Sequence, residues 1–233
     1  MTVINYRTVN DIDVEFEDGN IKEHVSYHAF KRGDVKNLFY PSVYGVGIIG
    51  NENTCDECGK HLKSYSVWKS ILERCYSEKF HKKRPTYINC DICEEWKYYK
   101  NFKEWFDKHY YEIEEENIQL DKDILVEDNR VYSPDTCIFV PRRINQMFET
   151  KQSNLPRGVY WNKSSNKYCA RIRIYKNGSS KGMNLGLFDT IEEAEKVYNN
   201  ARSKIIKDTA EEYKDKIPDK LYNRLIEISN NLR

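Results

Sequence analysis

QLDKDILVEDNRVYSPDTCIFVPRRINQMF, residues 119–148, decides how the rest of the chain is read. Leu120 and the run Ile138, Phe139, Val140 have the length and apolar character of short strands, and the charged stretch between them reads as a loop. RRINQMF follows as a basic helix. Asp121, Lys122 and Asp123 close the first strand, Asn129 sits in the loop, and Arg142, Arg143 and Asn145 lie on the helix. Carboxylates suit a hard divalent cation, and the neighbouring amine, amide and guanidinium groups suit the charge of a phosphodiester. Four cysteines, Cys75, Cys90, Cys93 and Cys137, accompany this stretch. A Cys-x-x-Cys pair with two further thiols is a structural zinc pattern, and buried thiols without metal are the alternative.

Around that stretch, 233 residues leave room for two or three small modules. Charged residues make up 32% of the chain, yet the net charge is only +1, which speaks for a folded protein rather than a basic tail. The charge is unevenly spread: from Lys151 to Lys181 every charged side chain is positive, whereas Glu112, Glu114, Glu115 and Glu116 form an acidic run. No apolar stretch approaches the roughly 20 residues that span a bilayer, and the N-terminus lacks a signal-peptide core, so a cytoplasmic protein is expected. In a reducing compartment, seven cysteines that include Cys55-x-x-Cys58 and Cys90-x-x-Cys93 point to metal before disulfides.

The fold class expected is α+β, in three parts. Residues 1–62 form a β module in which Asp18-Gly19 is a hairpin turn and PSVYGVGIIGN supplies tight turns and a short strand. Lys31, Arg32 and Lys36 there are read as a solvated basic face or a backbone contact. Cys55, Cys58 and His61 have metal-ligand spacing but lack a fourth partner in sequence, so a ligand role and plain exposed thiols both stand. Residues 63–150 begin with a helix placing Val67, Ile71 and Cys75 on one face, flanked by Trp68 and Leu72. A turn carrying Cys90 and Cys93 follows, then a helix from Glu94 in which Trp96, Phe102 and Trp105 recur as core.

Residues 155–233 carry three strand patterns, GVYWN, KYCARIRIY and KGMNLGLF, separated by polar turns. Thr190-Ile-Glu-Glu193 is a capping box that opens a helix with Ala194, Val197, Tyr198 and Ala201 on its apolar side. In the middle strand Ala170, Ile172 and Ile174 share one face and Cys169, Arg171, Arg173 and Tyr175 the other. Packing the first face on the helix turns the arginines outward, where guanidinium groups can pair with guanine edges and Lys176 and Lys181 with phosphates. A solvated basic sheet is the blander account. The tail from Asp208 reads as a helix, a break at Pro218 and a second helix that buttresses this module or a partner.

RCY at 74–76, CDICEEW at 90–96, LDKD at 120–123 and YSPDTC at 132–137 resemble the phage-encoded HNH-type homing endonucleases over about residues 65–148. The resemblance implies a ββα-metal fold, magnesium or manganese at a cutting site, structural zinc and a double-stranded DNA substrate. It assigns catalytic positions to Asp121, Lys122, Asp123, Asn129 and Asn145, with Lys122 standing where the family's first histidine acts as general base. A lysine with an ordinary pKa near 10.4 is a poor base at neutral pH, and two flanking aspartates hold its proton more firmly. Metal activation by Asp121 and Asp123, with Lys122 as a donor to the transition state, is one way round this. A degenerate site in which the aspartates serve turns and ion pairs with Lys122 or Arg130 is the other. His81 and His109 are bases only if recruited from elsewhere. Residues 157–204 resemble the plant ethylene-response-factor (APETALA-type) DNA-binding domain, through GVY, KYCARI, LGLFDT and EEAEKVYN. That likeness implies contacts from Arg157, Tyr160, Trp161, Arg171 and Arg173, with Tyr168 standing where the family has tryptophan. Together the resemblances imply a site-selective endonuclease in a phage-infected or lysogenic bacterial host. A non-cleaving DNA binder, or a phage inhibitor of a host defence protein, are the alternatives.

Overall fold

The computed structural model describes residues 1–149, 153–176 and 179–232, with Lys176 described by its backbone alone. In chain order the strands are β1 (Thr2–Thr8), β2 (Asp11–Glu15), β3 (Ile21–Val25), β4 (Asp91–Ile92), β5 (Ile118–Asp121), β6 (Val131–Tyr132), β7 (Ile138–Pro141), β8 (Val159–Asn162), β9 (Lys167–Lys176) and β10 (Ser179–Phe188). The helices are α1 (Tyr27–Arg32), α2 (Lys63–Tyr76), α3 (Glu78–Lys83), α4 (Tyr99–His109), α5 (Arg142–Phe148), α6 (Ile191–Tyr213) and α7 (Asp219–Asn231). Small separate sheets interspersed with helices make this an α+β protein. The chain divides into two compact units, Met1–Lys108 with Arg130–Ser133, and His109–Asn129 with Pro134–Arg233. The boundary expected near residue 63 thus falls inside the first unit, and the one near 151–154 inside the second.

In the first unit β1, β2 and β3 form an antiparallel sheet, and Gly19, at φ 82, turns the β2–β3 hairpin where Asp18-Gly19 foretells it. Polar side chains knot this sheet together. Arg7 donates to Asp13 through Nη1 (2.9 Å) and Nη2 (2.5 Å), and to Asp11 through Nη1 (2.8 Å). The glycine-dense stretch forms no strand. Val43 bridges Gly47 and Ile48 bridges Tyr98, and Gly47 lies so close to α2 that a Cβ there would stand 2.4 Å from Leu72 and 2.8 Å from Trp68. That contact falls on the buried stripe of α2, which comprises Tyr65, Trp68, Ile71, Leu72 and Cys75 and leaves Val67 half-buried rather than central. The bridge to Ile48 also delays the next helix. Ile48 N donates to Lys97 O (2.8 Å) and Tyr99 N to Ile48 O (2.9 Å), so Glu94–Lys97 is a 3₁₀ turn and α4 starts at Tyr99.

In the second unit β5 and β7 pair antiparallel, Leu120 opposite Phe139 and Asp121 opposite Ile138, and α5 follows at once. This is the expected strand, loop, strand, helix unit. The inner face of the β8–β9–β10 sheet, with Val159, Ala170 and Ile172, packs on Ala194 and Tyr198 of α6. Helix α6 then runs on without a break, 23 residues in all, and its second half meets α7 and the hairpin in another core. That core joins Ile124, Ile138, Val140 and Ile144 to Ile206, Ala210, Tyr213, Ile217, Leu221 and Leu225. The tail therefore buttresses the β5–β7–α5 unit. Ser203 Oγ, donating to Ser229 O (2.6 Å), ties α7 to α6.

Candidate nucleic-acid interface

The outer face of the three-stranded sheet is built by strand alternation. Arg171 and Arg173 are exposed, and opposite them stand Asn184 and Gly182 of β10. Tyr160, opposite Cys169, is 57% exposed, and Leu187 lies opposite Cys169 on the other side. The Arg171 guanidinium lies over β10: a Cβ at Gly182 would be 2.5 Å from its Nη2, so glycine there lets the arginine lie flat. Tyr160, Cys169, Arg171, Arg173, Tyr175, Ser180, Gly182, Asn184 and Leu187 include no acid. Lys167, at one end, is paired with Asp189 (2.9 Å).

Other residues expected at this surface are placed differently. Trp161 stands opposite Tyr168, one position out of phase with Tyr160, and packs its ring edge-on against that tyrosine at 4.8 Å. Lys181 is exposed but opposite Ile174, on the face away from Arg173, and the side chain of Lys176 lies outside the described residues. Arg157 is turned into the protein. Its guanidinium donates to the carbonyls of Met147 (2.6 Å), Glu149 (2.8 Å) and Phe148 (3.4 Å), satisfying groups that the end of α5 leaves without helical partners. Arg143 holds Glu212 through two bonds of 2.5 and 2.8 Å and lies over the Tyr213 ring, so it fastens α5 to α6. Arg142 is exposed at the start of α5.

At the hairpin, Asp121 Oδ1 accepts the backbone amides of Asp123 (2.9 Å) and Ile124 (2.7 Å). Burial pushes its carboxyl above the usual carboxylate range, against the pull of those amides. Lys122 is 7% exposed, and its Nζ donates to Asp123 Oδ1 (2.6 Å) and to the carbonyl of Asn129 (2.5 Å). Asn129 Nδ2 returns a bond to Lys122 O (2.9 Å), so the two residues clasp the loop from both ends. Asn145 Nδ2 donates to Gln119 Oε1 (2.9 Å) and fixes α5 to β5. The structure thus brings Asp121, Lys122, Asp123 and Asn129 into one loop, with Asn145 bound to the adjoining strand. Asp123 remains exposed, and each aspartate has a second oxygen outside the bonds just described. Two carboxylates completed by water meet the oxygen preference of magnesium, and the ammonium of Lys122 competes for Asp123.

Of the expected thiol ligands, Cys75, Cys90 and Cys93 belong to the first unit and Cys137 to the second. Cys75, Cys90 and Cys137 are buried, Cys93 half-buried, and none is in a disulfide. Cys90 and Cys93 flank β4 rather than a turn, with Cys93 N donating to Tyr132 O (2.9 Å). Burial raises the Cys93 thiol above its usual range. A thiolate donor set is chemically suited to zinc, which holds such sulfurs deprotonated.

Sequence reasoning missed three features. Arg224 donates from Nε to Ile124 O (2.8 Å) and pairs with Glu127 (3.7 Å), bracing the hairpin loop from the tail. Arg202 lies over the Phe148 ring, its Nε buried without a hydrogen bond, and burial together with nearby Arg157 lowers its proton affinity. Asp11, Asp13 and His24 gather their ligand atoms within 4.8 Å of one another, but the Arg7 guanidinium already donates to both carboxylates. Comparison with protein-family models, curated sequences and solved structures finds no match for this chain. No helix among the described residues is long and apolar enough to cross a membrane.

Proposed function

We propose that this protein acts on double-stranded DNA, gripping the duplex with the outer face of the β8–β9–β10 sheet. The observation that carries the reading is an acid-free surface presenting Arg171 and Arg173 side by side on a strand backed by a helix. Rigid strands place guanidinium groups more accurately than a flexible basic tail would, which favours recognition of base edges over charge attraction alone. Metal-dependent cleavage is the activity assigned to the hairpin, in the manner of HNH endonucleases. A divalent cation on Asp121 and Asp123 would supply an activated water and stabilise the leaving oxygen. The clasp between Lys122 and Asn129 keeps those carboxylates at fixed positions, and structural zinc on the cysteine thiolates belongs to the same reading.

A non-cleaving binder is the second reading, and one observation favours it. Lys122 and Asp121 are both engaged in holding the loop's own backbone, so the hairpin has a structural occupation without any substrate. Supercoiled plasmid with magnesium or manganese separates the two. Nicking that disappears in Asp121→Ala supports the endonuclease. Salt-dependent binding of intact plasmid leaves the binder, and absence of binding in low salt removes both.

A further inference from the structure

We infer that Cys55, Cys58 and His61 form a zinc site of their own in the first unit, apart from the cysteines around β4. Residues 54–62 fold into a tight hairpin. Leu62 N donates to Thr54 O (2.9 Å), Asp56 N to Lys60 O (2.8 Å) and Gly59 N to Asp56 O (3.0 Å), while Cys55 and His61 form an antiparallel bridge. The Asp56 carboxylate organises the tip, accepting the amides of Cys58 (3.0 Å) and Lys60 (2.9 Å). Gly59, at φ +77 with open space around it, makes the reversal without strain.

The consequence is chemical. Cys55 Sγ and His61 Nδ1 stand 3.2 Å apart. A tetrahedral zinc with sulfur at about 2.3 Å and nitrogen at about 2.0 Å sets such atoms roughly 3.5 Å apart, so a small adjustment admits the ion. Cys58 is exposed at the tip, three residues from each partner of the bridge, and the tip must bring its sulfur in toward the other two donors when the ion binds. The His61 ring is backed by the buried Tyr65 ring at 5.1 Å, which limits its swing. Two thiolates and an imidazole select a borderline-soft divalent ion over magnesium or calcium, and water completes the fourth position. The site closes the loop just ahead of α2, whose N-cap Leu62 has no side-chain hydrogen bond to offer.

Zinc content of the purified full chain, measured by elemental analysis after dialysis, tests this. Cys58→Ser is expected to lose about one equivalent relative to the parent with unchanged circular dichroism, since Cys58 is exposed, and Cys58→His to retain it. Cobalt substitution should give a parent-minus-Cys58→Ser difference spectrum with thiolate-to-cobalt charge transfer and tetrahedral ligand-field bands. Because the readout is a difference, zinc held elsewhere cancels. Equal zinc content in the parent and Cys58→Ser would overturn the site, leaving a thiol–imidazole hydrogen bond. A Cys55–Cys58 disulfide in protein prepared under reducing conditions would overturn it equally.

Discussion

Lys122 and Asn129 hold each other by main chain and side chain in both directions: the lysine ammonium reaches the asparagine carbonyl, and the asparagine amide reaches the lysine carbonyl. This reciprocal pair closes the loop that carries Asp123 and that begins directly after Asp121, the last residue of β5. Lys122→Met keeps the aliphatic stem and removes the charged donor, and should cost about 1–3 kcal/mol, the range for a lost charge-assisted hydrogen bond. Asn129→Ala should cost about 1–2 kcal/mol on the same grounds. Urea unfolding of each variant, with the midpoint read at constant slope, checks both. Unchanged midpoints would mean that the loop holds its shape by other means.

The arginines divide into two kinds, and mutation should separate them. Arg171→Ala with Arg173→Ala should weaken duplex binding at fixed salt by about 1–3 kcal/mol per bidentate contact, with the melting temperature unchanged. Arg157→Ala strips the α5 carbonyls of their donor, so its first effect should be a lower melting temperature. Electrophoretic mobility shift assays beside thermal melts give the comparison. The assignment fails if Arg157→Ala alters affinity alone.

Gly158 combines two constraints. Its φ is +78, and a Cβ would fall 2.0 Å from the Tyr198 ring, which α6 holds buried. Gly158→Ala should therefore cost roughly 2–4 kcal/mol, adding overpacking to a disfavoured backbone. Gly33→Ala makes the control: its φ is +73 but nothing lies within 4 Å, so only the backbone penalty of about 1 kcal/mol applies. Chemical denaturation of the pair should show the difference.

Acid should loosen the N-terminal sheet late. Hydrogen bonding to Arg7 holds the Asp13 carboxyl well below its ordinary value, at about 2. A carboxyl depressed in the folded state stabilises above its unfolded value, near 4, and that contribution fades as pH falls toward 2. NMR titration of the Asp13 carboxyl should show a midpoint near 2 that returns toward the ordinary range in Arg7→Ala. A midpoint near 4 in the parent protein would mean that the Arg7 contacts do not persist in solution.

Much of this architecture is legible from local pattern. Asp18-Gly19 marks its hairpin, and Thr190 caps α6 by accepting the Glu193 amide (3.2 Å). The alternation of Ala170 and Ile172 with Arg171 and Arg173 sorts the faces of β9 correctly. What local pattern does not carry is the partner of a long charged side chain. Arg143 and Arg173 look alike in sequence, yet one meets Glu212, 69 residues away, and the other is exposed. Arg157 likewise reads as a surface cation until the end of α5 is placed beside it. The phase of α2 eluded periodicity for the same reason, since Val67 and Trp68 are both apolar and distant partners, Gly47, the Tyr99 ring and the Trp96 carbonyl, make Trp68 the buried one. For the hairpin, sequence shows which residues gather, and coordinates show that Lys122 points into the loop.

Helix α6 is a common axle for two assemblies, the sheet seated at Ala194 and Tyr198 and the hairpin seated at Ile206, Ala210 and Tyr213. Because each residue advances an α-helix by about 100° and 1.5 Å, a single insertion between Tyr198 and Ile206 would twist one seat round the shaft relative to the other. Changes in length there are tolerable only in whole turns, so any lineage that swapped the sheet for another module would have to keep the angular phase of this shaft.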